Sequence, residues 1–437
     1  MLYCVAIRVN IINAETQQTV RIHIIGLGAV AGASLSDDAL HALQYAGLVI
    51  GSPRQLGLIE LALQGLSTQP IQQPLPALSK LKALLEDSAC KNVVVLASGD
   101  PLFYGIGRWF TKNFAAESLF FHPAVSSVQA ACHALGLSLQ DADVISLHGR
   151  PLEKIRATIQ PQQTLIVLTD KDSTPQALAK ECARAGFKQA TLWVGEQLGY
   201  PQQKVRQFTV AELLNETDLN VDPLHVTVIK TGKRSGEHAS KLGIEDHFFQ
   251  TGKAAGTGMI TKREVRLTVL SMMNVSNNDV IWDIGAGCGG VAVELAKSNE
   301  RATVYAIEQH AQRLEKLKDN AANFGVSSNC YPIAGRVPEA LADLPSPNKL
   351  FIGGSGGELE TLLPMLWRKL PAEGLMVITA VTEQTKQQLE QFCLTLEDVA
   401  VECVELSVSR GELGNAGFSF NKKRPVMVLK LQKKAIS

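Results

Sequence analysis

The stretch Ile281-Trp282-Asp283-Ile284-Gly285-Ala286-Gly287-Cys288-Gly289-Gly290, with Glu308 beyond it, decides the fold of this 437-residue chain. An apolar run over Val280 to Asp283 ends in glycines and passes straight into a helix-length segment, the pattern of a strand, a tight loop and a helix. Glycines at such a turn let the backbone pass close to a ligand at the carboxyl edge of a parallel sheet. Glu308 ends the next apolar run, 21 residues after Gly287. From there a carboxylate can accept hydrogen bonds from both hydroxyls of a ribose. Strand, glycine loop, helix, strand and acid together predict a nucleoside-binding βαβ unit.

NAD and S-adenosylmethionine both carry that ribose. Counted from Gly285, the third glycine of a dinucleotide fingerprint falls on Gly290, so spacing alone leaves NAD open. Asp283 favours the other ligand, because a carboxylate at the loop entry suits the ammonium of a methionine moiety and repels a pyrophosphate. Asp283, Gly285, Gly287, Gly289 and Glu308 are accordingly candidate contacts for S-adenosylmethionine.

The alternation of strand-like and helix-like runs extends outward from this unit, so the chain is read as α/β. Downstream, Thr303–Ile307, Cys330–Ala334, Lys349–Ile352 and Leu375–Thr379 are candidate strands, with helices over about 263–273, 289–297, 310–323, 358–370 and 382–391. Ala400–Ser409 and Pro425–Leu431 read as a closing antiparallel pair joined by a Gly-rich loop. Upstream, 233–258 opens with Lys233-Arg-Ser-Gly-Glu-His-Ala-Ser and has the composition of a linker. Before it, His23–Gly26, Leu48–Gly51, Val93–Ala97, Leu119–His122 and Val144–Leu147 read as one set of strands in a mostly parallel sheet. Leu165–Leu168, Thr191–Gly195 and His225–Lys230 form a second set, with a helix over 174–185. Ser36, followed by Asp37 and Asp38, is a good helix start. The expected domains are an extension (1–20), two α/β layers in tandem (21–232), the linker (233–258) and a Rossmann-like domain (259–437).

Lys plus Arg and Asp plus Glu each count 42, which lacks the basic surplus of a phosphate-tracking protein and disfavours nucleic acid as a partner. No apolar run reaches the 18 or so residues of a membrane span. Eight cysteines lie scattered without a C-x-x-C pair or the Cys/His spacing of a zinc site, so no metal is expected and free thiols in a reducing cytoplasm are. Residues 1–20 lack the basic, apolar and small-residue regions of a secretory leader.

The first glycine loop, Gly26-Leu-Gly28-Ala-Val-Ala31-Gly32, also follows a strand, but the next strand ends in Leu48-Val-Ile-Gly51 without a ribose-binding acid, which argues against a nicotinamide site. Further on, Ala97-Ser-Gly99-Asp100-Pro-Leu-Phe-Tyr-Gly105 and Pro123-Ala-Val-Ser126-Ser127-Val-Gln resemble the tetrapyrrole (class III) methyltransferases. Ser138-Leu-Gln-Asp-Ala-Asp-Val-Ile-Ser-Leu-His148-Gly149-Arg150 narrows the likeness to their cobalamin-pathway carbon-5 members. From Gly258-Met-Ile-Thr261-Lys-Arg-Glu-Val-Arg through Pro338-Glu-Ala-Leu, Phe351-Ile-Gly-Gly-Ser-Gly-Gly357 and Ala380-Val-Thr, the second half is similar to decarboxylating carbon-15 methyltransferases. In this order the two halves resemble the bifunctional precorrin-6Y (precorrin-6B) C5,15-methyltransferases over all but the first twenty residues. Ala29 and Thr379 depart from the proline and asparagine usual in the family, and Glu383 from a commoner apolar residue.

The resemblance implies one S-adenosylmethionine site per domain. Gly28, Gly99, Asp100, Ser126 and Ser127 would contact the donor in the first half, and Thr261 and Gly335 would join the loop residues in the second. It also implies methylation of a precorrin, or of its cobalt-containing counterpart, at carbons 5 and 15 with loss of the ring-C acetate carboxyl, and a homo-oligomer. Taken without the resemblance, Asp100 and the two serines are equally helix caps, and His148 a core histidine. A neutral protein meets a polycarboxylate with local cations, for which Arg150, with His148 beside it, and Lys262, Arg263, Arg266, Arg336 and Arg410 are candidates. The ring's enamine-like carbons are themselves nucleophilic, so no general base is assigned. An RNA methyltransferase would need a basic face and an Asn/Asp-Pro-Pro-aromatic loop where Phe351-Ile-Gly-Gly stands.

Overall fold

The computed structural model describes residues 20–29, 35–64, 66, 68–216, 218–235, 242–254, 258, 260–354, 357–415 and 417–435. The extension, apart from Val20, and Ala31 and Gly32 of the first loop lie outside them.

The first sheet has five parallel strands, β1 (Arg21–Gly26), β2 (Leu48–Gly51), β3 (Ile71–Pro74), β4 (Asn92–Ala97) and β5 (Leu119–His122), in the order β3-β2-β4-β1-β5. The run Val93-Val-Val-Leu-Ala97 is apolar throughout because both faces of β4 are covered. Val93 and Val95 pack with Ile22, Ile24 and Phe110, whereas Val94 and Leu96 pack with Ile25, Leu43 and Ile59. The helix Asp37–Gln44 starts as expected, with Ser36 Oγ accepting from the Ala39 N–H.

The second sheet comprises β6 (Asp143–Ser146), β7 (Thr164–Leu168), β8 (Thr191–Glu196), β9 (Lys204–Thr209) and β10 (His225–Lys230), in the order β6-β7-β10-β8-β9. It corrects two expectations. The strand at Val144 belongs here and not to the first set, and only its pairing with β7 is parallel, so this layer is mixed.

The third sheet contains β11 (Val280–Ile284), β12 (Thr303–Glu308), β13 (Cys330–Ala334), β14 (Lys349–Ile352), β15 (Leu375–Ala380) and β16 (Val399–Leu406). The intervening segment, read as a Gly-rich loop, is an exposed hairpin of β17 (Ser409–Gly414) and β18 (Gly417–Lys422), and β19 (Val426–Lys433) closes the sheet. The order β13-β12-β11-β14-β15-β19-β16 reverses direction beside β11, and β19 runs antiparallel to both neighbours. A crevice at such a switch point is where open α/β sheets bind ligands.

Residues 242–250 do not behave as a free linker. Ile244 and Phe249 are buried in the core of the third sheet, and the Gly243 and Ile244 N–H groups donate to the Glu294 carboxylate. The polar composition of the segment's start hides these apolar anchors. Among the described residues no helix is long and apolar enough to cross a membrane.

Candidate functional site

The carboxyl ends of β1 and β4 form the rim of a cleft of about 2370 Å³. Gly28 and Gly99 are joined there by an isolated antiparallel bridge. Gly26 lies so close that a Cβ on it would stand 2.6 Å from the Gly99 carbonyl oxygen. Gly99 itself has φ +64, a left-handed conformation that favours glycine. Asp100 then organises the loop: Oδ1 accepts from the Leu102 and Phe103 N–H groups at 2.8 and 3.0 Å, and Oδ2 from the Ala124 N–H at 3.3 Å. Ser126 is buried and caps the helix Ser127–Leu135 in a reciprocal box with Gln129. All five first-half donor candidates therefore line one wall. Asp100 commits its side chain to backbone N–H groups and Ser126 to the Gln129 N–H and side-chain oxygen, so they shape that wall, and the glycine backbones and the half-buried Ser127 remain to meet a ligand.

His148 and Arg150 line the same cleft. His148 is exposed and is not a core histidine. Gly149, with φ +65, donates its N–H to Asp170 Oδ2 at 2.8 Å. Despite some desolvation, hydrogen bonds from Gly149, Ser173 and Asp172 hold the Asp170 pKa at about 2. Arg150 Nη1 donates to the Ser146 carbonyl at 3.0 Å, which leaves its charge without a carboxylate.

Several cleft residues were not read from the sequence: Tyr104, Arg54, Arg108, Lys171 and, from the second half, Arg301. Tyr104 donates its hydroxyl to the Val144 carbonyl at 3.1 Å, and burial raises its pKa. Arg54 bridges the Tyr200 hydroxyl and Ser98 Oγ at 3.0 and 2.9 Å. It stands three residues past β2, at the same sheet edge as the glycine loops, so a scan of every strand end would have found it. Among the described residues, Arg54, Arg108, Arg150, Lys171 and Arg301 form no ion pair with a carboxylate.

In the second half, Gly285, Gly287 and Gly289 all have positive φ. A Cβ on Gly285 would collide with the Gly354 carbonyl oxygen, so the loop after β11 nests against the one after β14. Ser355 and Gly356 of that second loop lie outside the described residues. Glu308 is held by the Gly287 and His310 N–H groups, each at 2.8 Å. Each of its oxygens keeps acceptor capacity for a ribose hydroxyl. Gly335, with φ +139, follows β13 beside it and donates its N–H to the Glu308 carbonyl.

Asp283 differs from expectation. It is fully buried beneath the glycine loop, both carboxyl oxygens lack a hydrogen bond of normal geometry, and burial pushes its pKa up to about 7 against the nearby Ala292 N–H. A ligand ammonium would meet it at the floor of the site and not at its mouth.

The second-half cations are mostly engaged. Arg266, expected at the substrate, is completely buried, with Nε on Glu294 and Nη1 on Asp246 at 2.8 and 2.7 Å. It also donates to the Thr261 and Ile244 carbonyls. Its place on the stripe Val265, Arg266, Val269 and Met273 was legible from helical periodicity. Arg410 is likewise corrected, since it ties the hairpin to Glu264 and Asp246. Lys262 lies 4.0 Å from Asp246, Arg263 3.7 Å from Glu245 and Arg336 2.6 Å from Glu358, and all three remain near the surface.

Two glycine loops at the strand ends of successive α/β units, one beside a cleft lined by cations unpaired among the described residues, fit a methyltransferase of the tetrapyrrole-modifying class. Residues 21–214 match the tetrapyrrole (corrin/porphyrin) methylases and residues 254–433 the precorrin methyltransferase domain. The chain is 34% identical over 361 residues, 82% of its length and 84% of the relative's, to a precorrin-6Y C(5,15)-methyltransferase [decarboxylating] of Sinorhizobium sp. The second half is 31% identical over 185 residues, 42% of this chain and 93% of the relative, to a probable cobalt-precorrin-6B C(15)-methyltransferase (decarboxylating) of Methanothermobacter thermautotrophicus. A solved precorrin-6y C5,15-methyltransferase structure from Geobacter metallireducens shares 33% identity, covers 45% of this chain and 98% of its own, and has a TM-score of 0.41. The chain belongs to the precorrin-6Y C(5,15)-methyltransferase family.

Proposed function

We propose that this chain methylates a precorrin at carbons 5 and 15, losing the ring-C acetate carboxyl as carbon dioxide, and so forms precorrin-8 in cobalamin biosynthesis. Residues 21–232 carry the carbon-5 transfer and residues 259–437 the carbon-15 transfer with decarboxylation. The observation that carries this reading is the cleft beside the Gly28–Gly99 loops, whose lining includes five cations that have no carboxylate partner among the described residues. Such a lining suits an acceptor bearing many carboxylates, and the cleft exceeds the few hundred to about 1,000 Å³ of a site for an ordinary small ligand.

S-adenosylmethionine, when bound, supplies a methyl group already activated on sulfonium sulfur. The protein's task is alignment in a water-poor cleft, with no metal required for the transfer. In the first half, the wall built by Gly28, Gly99, Asp100, Ser126 and Ser127 holds the donor, and Arg150, His148 and the other cations fix the acceptor's carboxylates. In the second, the Gly285–Gly289 backbone, Glu308, Asp283, Thr261 and Gly335 hold the donor at the switch point, with Lys262, Arg263 and Arg336 at the rim. The electron pair left by the departing carboxylate passes into the conjugated ring, so the pocket has to orient that carboxylate without over-stabilising it.

Incubation with labelled S-adenosylmethionine and cobalt-free precorrin-6B, followed by mass spectrometry of the ring, tests the assignment. The expected product has gained two methyl groups and lost one carbon dioxide, and Glu308→Ala removes only the decarboxylating half. Turnover with the cobalt ring alone would assign the protein to the cobalt-containing route, and turnover with neither ring would refute the function. The seven described cysteines are all free thiols, which supports a cytoplasmic location. The exposed apolar side chains of the β17–β18 hairpin support a homo-oligomer.

A further inference from the structure

The first cleft is not built by the first half alone. Asn278, Ser298, Glu300, Arg301 and Ser328 also line it, and they cluster at the amino ends of β11, β12 and β13, the edge opposite the glycine loops of the second half. The junction is tightly seated. Arg156 grips Glu181 with two nitrogens and donates Nη1 to the Ala322 carbonyl at 2.9 Å. Arg184 bonds Asn323 Oδ1 at 2.6 Å, and Lys154 pairs with Glu300 at 3.5 Å. A Cβ on Gly325 would stand 2.5 Å from the Glu153 carbonyl oxygen and 2.7 Å from the Ala157 nitrogen.

We propose that Arg301 is a substrate-binding residue of the carbon-5 site, contributed by the carbon-15 domain, which holds a carboxylate of the tetrapyrrole bound mainly by the first half. This rests on the methyltransferase function proposed above. The Arg301 backbone is pinned on both sides, its N–H on Asn299 Oδ1 at 2.9 Å and its carbonyl accepting from Asn278 at 3.1 Å. Its side chain is exposed on the cleft wall and has no carboxylate partner among the described residues. The neighbouring Glu300 is occupied by Lys154, so it does not neutralise the guanidinium by a direct pair. Tyr104, Arg150 and Arg301 line the same cleft, which places cations from both halves around one volume. A guanidinium with no internal acid suits a carboxylate presented in two-pronged geometry.

The test measures both methylations separately in the full-length protein, with R301Q, R301E and R301K beside wild type. The expected result for R301Q is a KM for the ring in carbon-5 methylation raised roughly 10-fold, the order of one charge-assisted contact, with kcat nearly unchanged. R301E should be worse and R301K partly restored, while decarboxylation and thermal melting stay at wild-type values. An unchanged carbon-5 KM, or equal loss of both activities, overturns the proposal. If wild type methylates no precorrin, the function itself has failed, an outcome separate from failure of the Arg301 assignment.

Discussion

Asp283 shows how far a single residue can depart from its reading. Alternation along β11 puts it on the same face as Ile281, toward the helix Gly290–Ser298, where it is cut off from solvent. Burial, with a smaller push from the Glu308 charge, carries its pKa up to about 7. An unfolded aspartate titrates near 4, so the folded chain keeps a proton that the unfolded chain releases. The associated stability is complete below about pH 4 and is lost as pH rises through about 7. Asp283→Asn cannot ionise there. Its melting temperature relative to wild type should climb between about pH 4 and pH 7 and level off above, and a difference independent of pH would show that the carboxyl is charged throughout. Saturating S-adenosylmethionine should flatten the climb if its ammonium reaches this carboxylate, because a cation lowers the folded-state pKa.

At the scale of elements, the buried Arg266 joins three segments: its own helix, the stretch around Ile244–Asp246 and the helix carrying Glu294. Arg266→Met would leave Glu294 in the core without its cation, and Asp246 with Arg410 and the more distant Lys262. It should cost about 3–5 kcal/mol in urea unfolding, and a loss below about 1 kcal/mol would mean that the buried pairs do not hold these segments together. The hairpin β17–β18 instead exposes Leu413, Phe418 and Phe420 at 73%, 69% and 69%, more than a lone monomeric arm normally leaves in water. Replacing Phe418 and Phe420 by serine should lower the mass seen by light scattering without changing the melting temperature, and a monomeric wild type would remove the oligomer from the proposal. These elements also mark where the sequence was legible. Strands β11 to β15 were placed within a residue because each is an apolar run flanked by turn signals. β3 and β9 escaped because their sequences, Ile-Gln-Gln-Pro and Lys-Val-Arg-Gln-Phe-Thr, belong to largely exposed edge strands. The glycine loops were legible because positive φ leaves a mark on residue type. Apart from Arg150, which cations face a cleft was not, because that depends on how layers stack.

For the whole molecule, the cleft of the first half and the glycine loops of the second lie at opposite ends of the third sheet. The cleft meets the amino ends of β11 to β13 through Asn278, Arg301 and Ser328, whereas Gly285, Glu308 and Gly335 stand at the carboxyl ends. Five residues of strand at about 3.3 Å each separate these edges by about 17 Å of packed sheet. Those strands are buried on both faces and offer no passage to a macrocycle. On the proposed division of the two transfers between the halves, the product of whichever comes first has to leave one site and reach the other around the outside of the domain. Two chains, each defective in one half, should then cooperate when mixed. Glu308→Ala supplies the carbon-5 activity. Gly99→Val, which forces a branched side chain onto a φ of +64, supplies the other, with its own decarboxylating activity confirming that it is folded. Their mixture should yield doubly methylated, decarboxylated ring at a rate close to wild type at equal site concentration, and singly methylated ring should appear first in bulk solution. A mixture far slower than wild type, with no free intermediate, would mean that the ring is handed between sites by a route this arrangement does not contain.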